Sequence, residues 1–272
     1  MRIAVLSDVH ANLTALDAVL ADAGSVDGIW QLGDIVGYGP EPDAVVERLR
    51  EVGAIGVRGN HDAAACGGSE IEWFNPDARR AMEWTRRAIA SGTVEWLAAL
   101  PDRGREGECE LVHGSLREPL WEYVTSDDVA AANLAVLARG ARIGFHGHTH
   151  VPVAWVEEAT VEDAAAGGEA GAGTGGETRG ATGIGMEVAG RVRLVRGRAG
   201  ASLELGGRLA LVNPGSVGQP RDGVADASYL IWEPELDRVT WHRVPYDVAA
   251  VQRSMRDAGL PPSLAARLAV GL

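Results

Sequence analysis

The sequence predicts an α/β protein. Strands and helices alternate through the first half, and short strands in the second half build another, mostly antiparallel sheet that packs on the first. Three observations carry this. Apolar runs of strand length alternate with helical periodicity up to about residue 145, as in a parallel arrangement. Beyond about residue 150 the runs become shorter and closer together. The early runs also end in Asp, His and Asn, at the carboxyl ends of strands where open α/β sheets collect their ligands.

Residues 3–7 read as a buried strand, after which Asn12 caps a helix whose Leu13, Leu16 and Leu20 recur at helical spacing until Gly24 stops it. Residues 28–32 form a second strand, and a helix follows through Val45, Val46 and Leu49 to Gly53. The run Ala54-Ile55-Gly56-Val57 is a third buried strand, which delivers Arg58-Gly59-Asn60-His61-Asp62 in a loop. Asn75-Pro76 opens a helix carried by Ala78, Ala81, Met82, Thr85 and Ile89, and a shorter helix ends before Pro101. Trp73, Trp84 and Trp96 are assigned to core packing, with Trp73 and Phe74, ahead of the cap, also placed to line a pocket. Residues 108–113 return to strand, Ser126 caps a helix ending at Gly140, and residues 142–145 lead into Gly147-His148-Thr149-His150.

Residues 151–156 begin a strand, but residues 157–185 are a Gly/Ala/Glu-rich tract that cannot offset its ordering entropy by burial. Six acids and one Arg give it −6 + 1 = −5 of the net charge, and it reads as a flexible acidic insertion between strands. Strands are expected at 192–195, 201–205, 208–212, 229–232 and 239–243, with Gly206-Gly207 as the turn of a two-residue hairpin. Helical stretches at 248–258 and 263–270 close the chain over an edge.

At 272 residues, 46% hydrophobic and 23% charged, the chain can bury a sizeable core. One domain over residues 1–245 is expected, with residues 246–272 as a helical extension packed on it. No apolar run reaches the ~18 residues of a membrane span, and the apolar stretch before Asp8 is short for a signal peptide. A soluble, cytoplasmic protein with no membrane partner is therefore expected. Cys66 and Cys109 belong to no Cys-x-x-Cys pair and read as reduced thiols. The net charge of −13 argues against a nucleic-acid polymer as partner. All 25 cationic residues are Arg, a compositional bias given no mechanistic weight.

Asp8-Val9-His10 ends the first apolar run, Gly33-Asp34 the second, Gly59-Asn60-His61-Asp62 the third, His113 the fourth and Gly147-His148-Thr149-His150 the fifth. Taken singly, each is ordinary loop chemistry, since Asn and Asp are turn formers. Together they are not. Of seven histidines five lie in these stretches, His146 directly precedes the last of them and only His242 lies elsewhere, whereas core or surface histidines would scatter. Asp8, His10, Asp34, Asn60, His113, His148 and His150 supply enough hard and borderline ligands for two divalent ions, ~3.5–4 Å apart and sharing one carboxylate.

In this order and spacing the motifs resemble the calcineurin-like metallophosphoesterase superfamily over roughly residues 1–245. The small bacterial phosphodiesterase-like members are the nearest, sharing Gly33-Asp34-Ile35-Val36-Gly37-Tyr38-Gly39-Pro40 and the late run Asn213-Pro214-Gly215-Ser216-Val217-Gly218-Gln219-Pro220-Arg221. The resemblance implies a four-layer α/β/β/α sandwich of two mixed sheets flanked by helices. It implies Asp8, His10 and His150 on one metal, Asn60, His113 and His148 on the other, and Asp34 between them. His61 takes the place of the general acid that protonates the leaving oxygen, and a hydroxide between the ions attacks phosphorus in line. Asp62 is expected to orient His61 by carboxylate–imidazole pairing. Arg58 stands where relatives hold phosphate, although a solvent-facing Arg reads equally well. Arg221 is a weaker phosphate candidate, and His146 is expected to be a buried, hydrogen-bonded histidine.

The implied reaction is hydrolysis of small phosphodiesters or phosphate esters with two divalent ions, manganese first and Mg, Ni, Fe or Zn as alternatives. A protein or dinucleoside polyphosphate phosphatase is disfavoured by the absence of an extended basic groove and by an insertion outside the catalytic loops. A non-catalytic scaffold presenting Trp73, Phe74 and Trp121 is disfavoured by the complete ligand set. Homo-oligomerisation is left open.

Overall fold

In the computed structural model, which describes residues 1–158 and 192–272, the chain opens with β1 (Ile3–Leu6), α1 (Leu13–Ala23), β2 (Gly28–Gln31), α2 (Pro42–Glu51) and β3 (Ile55–Gly56). It continues through α3 (Asn60–Ala65), α4 (Pro76–Ala88), α5 (Ser91–Ala99), β4 (Arg103–Glu106), β5 (Cys109–Val112), α6 (Asp127–Leu137) and β6 (Ile143–Phe145). Then come β7 (Val153–Glu157), β8 (Val192–Arg196), β9 (Ser202–Glu204), β10 (Ala210–Asn213), β11 (Ala227–Glu233) and β12 (Arg238–Val244). Two helices, α7 (Val248–Asp257) and α8 (Pro262–Arg267), follow. Most of the acidic tract expected at 157–185 lies outside the described residues.

The strands form two six-stranded sheets, in the order β3-β2-β1-β11-β12-β9 and β4-β5-β6-β10-β7-β8. Burial on both faces explains the continuous apolar runs. In β1, Ala4 and Leu6 join the cluster beneath the outer helices, which includes Leu16 of α1 and Leu49 of α2, whereas Ile3 and Val5 join the cluster between the sheets. That inner cluster also takes Phe145, Val212, Trp232 and Trp241. A third cluster packs Leu134 and Leu137 of α6 on Trp155 and Leu211, outside the second sheet. The result is the expected four-layer α/β/β/α sandwich of two mixed sheets.

The distribution of strands differs from the reading of the residues alone, a parallel first sheet with a second, mostly antiparallel sheet packed on it. β1, β2 and β3 are parallel in the first sheet, and β5, β6 and β10 are parallel in the second. The late strands then complete both sheets: β11 pairs antiparallel with β1, and β7 with β10. An unpaired edge on either parallel set would leave backbone donors and acceptors unmatched, so both are extended. Gly206 and Gly207 do make a tight reversal, at φ 62° and 74°, but it closes no hairpin. β9 pairs with β12 in one sheet while β10 lies between β6 and β7 in the other. The turn crosses the sandwich because Leu205, fully buried, anchors it between the sheets.

Other expectations are corrected locally. β3 is a two-residue edge strand with Ile55 45% exposed, and Asn60-His61-Asp62 is the first turn of α3 rather than a loop. The polar β4 pairs antiparallel with β5 at the edge of the second sheet, with no apolar pattern to announce it. Val251, Met255, Leu264 and Leu268 of the terminal stretches pack into the cluster outside the first sheet, not over an edge. Trp84 and Trp96 pack against the same cluster, but Trp73 is 70% exposed and is not a core residue. Among the described residues no helix is long and apolar enough to cross a membrane.

Candidate metal centre and its cleft

The loops after β1, β2, β5 and β6 and the first turn of α3 bring Asp8, His10, Asp34, Asn60, His113, His148 and His150 together, each at most 4% exposed. Their donor atoms fall into two groups, Asp8/His10/Asp34/His150 and Asp34/His113/His148, within which all ligand atoms lie within 4.8 Å of one another. Asp34 belongs to both. Its Oδ2 is 3.7 Å from His10 Nε2 and 3.3 Å from His113 Nε2. Asp8 Oδ1 lies 3.2 Å from His150 Nε2, and Asn60 Oδ1 lies 3.1 Å from His113 Nε2.

The imidazoles are oriented by backbone carbonyls. Nδ1 of His10, His113 and His150 faces the carbonyl oxygens of Val36, Leu32 and Gln219 at 3.2, 2.9 and 2.5 Å. Donating there, each ring turns its Nε2 lone pair into the centre, the form in which imidazole ligates metal. His148 presents Nδ1 instead, 3.0 Å from His113 Nε2, and His10 Nε2 lies 3.2 Å from His150 Nε2. Among the described residues, Asp8 Oδ1 is buried with no hydrogen-bond donor. Lone pairs and carboxylate oxygens converging without donors are costly to bury, and divalent cations are the species that fit them.

Electrostatics agree with this. Burial pushes the Asp8 and Asp34 carboxyls up, but His150 beside Asp8, and His113 and His61 beside Asp34, outweigh it and hold both well below the usual range. Burial lowers His10, His150 and His148, the last to about 3. His113 goes the other way: burial lowers it, yet Asp34 carries it up to about 9. The pull of Asp34 on His113 marks a position that favours positive charge, which bound cations would supply.

The backbone is held in an uncommon conformation here. Asp8, His10, Asp34, His148 and His150 have φ between 49° and 66°, left-handed values that cost on the order of 1–3 kcal/mol each for non-glycine residues. Cross-loop bonds keep them there: Asp8 N–H donates to Gly33 O (3.1 Å), His10 N–H to Asp34 O (2.9 Å) and His148 N–H to Asp8 Oδ2 (3.1 Å). Gly147 permits the last approach, because a Cβ there would sit 1.9 Å from Ser7 Oγ.

His61 is buried beside the centre, with its ring stacked on Phe74 at 4.5 Å and tilted against Tyr38 at 4.5 Å. Its N–H donates to Asp34 Oδ1 at 2.9 Å, and its Nδ1 lies where a Cβ on Gly37 would come within 2.3 Å. Burial, opposed by Asp34, lowers the imidazole to about 4. Asp62 does not pair with that ring. Its Oδ1 accepts the N–H groups of Ile35 (2.9 Å) and Val36 (3.1 Å), and its Oδ2 accepts that of Gly59 (2.8 Å). At N3 of α3 the carboxylate points back to these amides, so Asp62 fixes the loop that carries Asp34. Burial, with Asp34 close by, pushes it up to about 7. Asp62→Ala is therefore expected to cost roughly 3 kcal/mol or more, about 1–3 kcal/mol for each stranded amide, seen as a large fall in Tm. An unchanged Tm with a selective loss for poor leaving groups would restore the orienting role.

Arg58 is not brought into the cleft: its Nε donates to Asp102 Oδ1 at 2.6 Å, and Asp102 offers an ion pair that the motif did not disclose. His146 is buried outside both donor groups, with Nδ1 3.4 Å from Asn213 Nδ2. Arg221 does line the cleft, where its Nη2 donates to Gln219 Oε1 at 2.9 Å. The run 213–221 proves to be a clamp. Asn213 Nδ2 donates to Gly147 O (2.7 Å), Ser216 Oγ to Asp8 O (2.8 Å), and Gln219 O receives His150 Nδ1. Tyr123, which lies in a segment without periodicity, stacks on His148 at 3.9 Å. The cleft holds about 240 Å³, with Asp34, Asn60, His148 and His150 on its floor.

A two-sheet sandwich with two histidine-rich donor groups sharing a buried carboxylate defines a metal-binding protein. A profile of the calcineurin-like phosphoesterase superfamily domain matches residues 1–182, and the chain belongs to that superfamily of divalent-metal-dependent phosphoester hydrolases. A metallophosphoesterase from Sphaerobacter thermophilus is 42% identical in sequence, with a TM-score of 0.81 and full coverage of both chains. An uncharacterised protein of Methanocaldococcus jannaschii is 32% identical over 99% of this chain and 98% of its own. A symmetrical bis(5'-nucleosyl)-tetraphosphatase of Aromatoleum aromaticum is 25% identical over 58% of this chain and 60% of its own.

Proposed function

We propose that this protein is a dinuclear metal-dependent phosphoesterase that hydrolyses small phosphodiesters or phosphate esters. The observation that carries the reading is the Asp34 carboxylate shared by two donor groups at the floor of one cleft. Asp8, His10 and His150 would hold one ion, Asn60, His113 and His148 the other, and Asp34 both, with manganese first among the candidates. Ions in such a pair lower the pKa of bound water and neutralise phosphoryl charge. Arg221 lines the cleft with its Nε buried and unbonded among the described residues, and would hold phosphoryl oxygens there. His61, on the wall above Asp34, delivers a proton to the departing oxygen.

Residues 1–245 are assigned to the catalytic domain and 246–272 to an extension packed on it, consistent with the burial of Val251, Met255 and Leu264. Two unpaired thiols suit the cytoplasm. The test is to strip the protein of metal and reload it with Mn²⁺, Mg²⁺, Ni²⁺, Fe²⁺ or Zn²⁺. Each form is assayed on phosphomonoesters, cyclic nucleotides, dinucleotides, glycerophosphodiesters and a dinucleoside tetraphosphate. Two ions per chain with turnover of small esters are expected. Full loading without turnover of any ester would favour the binding scaffold instead.

A further inference from the structure

Leading away from His61, the cleft is walled by aromatic rings in contact. Phe74 stacks on His61 with an interplanar angle of 29°, Trp121 leans on Phe74 at 5.8 Å, and Trp73 meets Trp121 edge to face at 5.0 Å. All four line the same cavity as the metal-binding floor. Trp73, at 70% exposed, leaves most of its indole in water, although its neighbour Phe74 is 8% exposed and packed. An indole contributes to stability mainly through burial, so folding alone does not account for one held out at the rim. Beside it, Asn75 spends its side-chain oxygen on capping α4, accepting from Asp77 N–H (3.1 Å) and Ala78 N–H (2.9 Å). Its amide nitrogen makes no hydrogen bond among the described residues and is a donor at the edge of the aromatic wall.

We infer that this wall, with Trp73 as its outer platform, binds a nucleobase, and that the substrate is a phosphoester whose leaving group is a nucleoside. The inference rests on the phosphoesterase reading and specifies its substrate. A planar ring with acceptors on its edge matches an exposed indole face beside an amide donor, and base–aromatic stacking tolerates any base. Position decides which half of the ester the base belongs to. The wall begins at the stacking partner of His61, so the group lying on it is the one whose oxygen His61 protonates. The bond from phosphorus to the nucleoside oxygen breaks, the oxygen of water joins phosphorus and gives up one proton, and the nucleoside leaves with a proton from His61, which the proton released by water replaces. The net charge of −13 keeps the substrate small rather than polymeric.

The test compares two diesters with the same methyl phosphate and different primary alkoxide leaving groups, adenosine 5'-methyl phosphate and glycerol methyl phosphate, on the metal-loaded full chain. The wild type is expected to prefer the adenosine ester in kcat/KM. Trp73→Ala should lower the adenosine-to-glycerol ratio roughly tenfold, within the range measured for one stacked base, mainly through KM, and Trp73→Phe should recover part of it. A ratio indifferent to Trp73 overturns the inference. If neither ester, nor any nitrophenyl ester, is hydrolysed, the phosphoesterase reading fails, and calorimetry with adenosine still decides the platform. Binding weakened about tenfold in Trp73→Ala supports it, and equal binding in the two proteins overturns it.

Discussion

Asp34→Asn is expected to lower kcat/KM by about 10³-fold or more, on the order of 4 kcal/mol of transition-state stabilisation, and to leave the chain with fewer than two ions. The reason is geometric. Asp34 Oδ2 faces His10 Nε2 and His113 Nε2, one in each donor group, so the amide would replace a shared anionic oxygen or turn N–H donors toward ligating nitrogens. Its Oδ1 also accepts the N–H of His61, so one substitution disturbs both metal positions and the proposed acid. Elemental analysis and kinetics on the same sample provide the check. A variant that retains two ions and near-normal turnover would rule out the bridging role. His10→Ala, which removes a donor from only one group, should lose one ion more readily than the other, and the contrast separates bridging from general weakening of the site.

The residues that converge on the candidate centre were legible in the sequence because they follow apolar runs, and the chemistry at the end of a buried strand has few structural uses. Asp8, His10, Asp34, His113, His148 and His150 all follow such runs, and all converge. What hydrogen bonding decides was not legible. Asp62 beside His61 suggested a carboxylate–imidazole pair, but as N3 of α3 it is aimed back at the amides of Ile35, Val36 and Gly59, and a two-residue strand gave no sign that α3 begins at Asn60. Arg58 lies outside the cleft and Arg221 lines it for a similar reason: Asp102 is 44 residues further along, and nothing local ties it to Arg58. The late run 213–221 is dense in Gly, Pro, Ser and Asn, which marks a turn but not what the turn grips. Likewise Gly206-Gly207 indicated a reversal correctly, while the sheet each flanking strand joins depends on long-range burial.

His61→Ala should slow cleavage of esters with poor alkoxide leaving groups by roughly 10²–10⁴-fold, the usual reach of general acid catalysis, while esters of nitrophenol, which depart without a proton, should lose much less. Metal content should stay at two ions, since the His61 ring belongs to neither donor group. Burial lowers this imidazole to about 4, which would leave it neutral at physiological pH, and Asp34 is the main group opposing that. A phosphoryl anion in the cleft adds a second, and a nearby negative charge raises the imidazole toward the range in which it can donate. In the structure the ring is packed between Tyr38 and Phe74. His61→Asn, which removes the titrating group but keeps a polar side chain, should show the same dependence on leaving group. Equal losses for nitrophenyl and alkyl esters in a metal-replete protein would assign His61 to positioning, and loss of an ion would assign it to the metal centre itself.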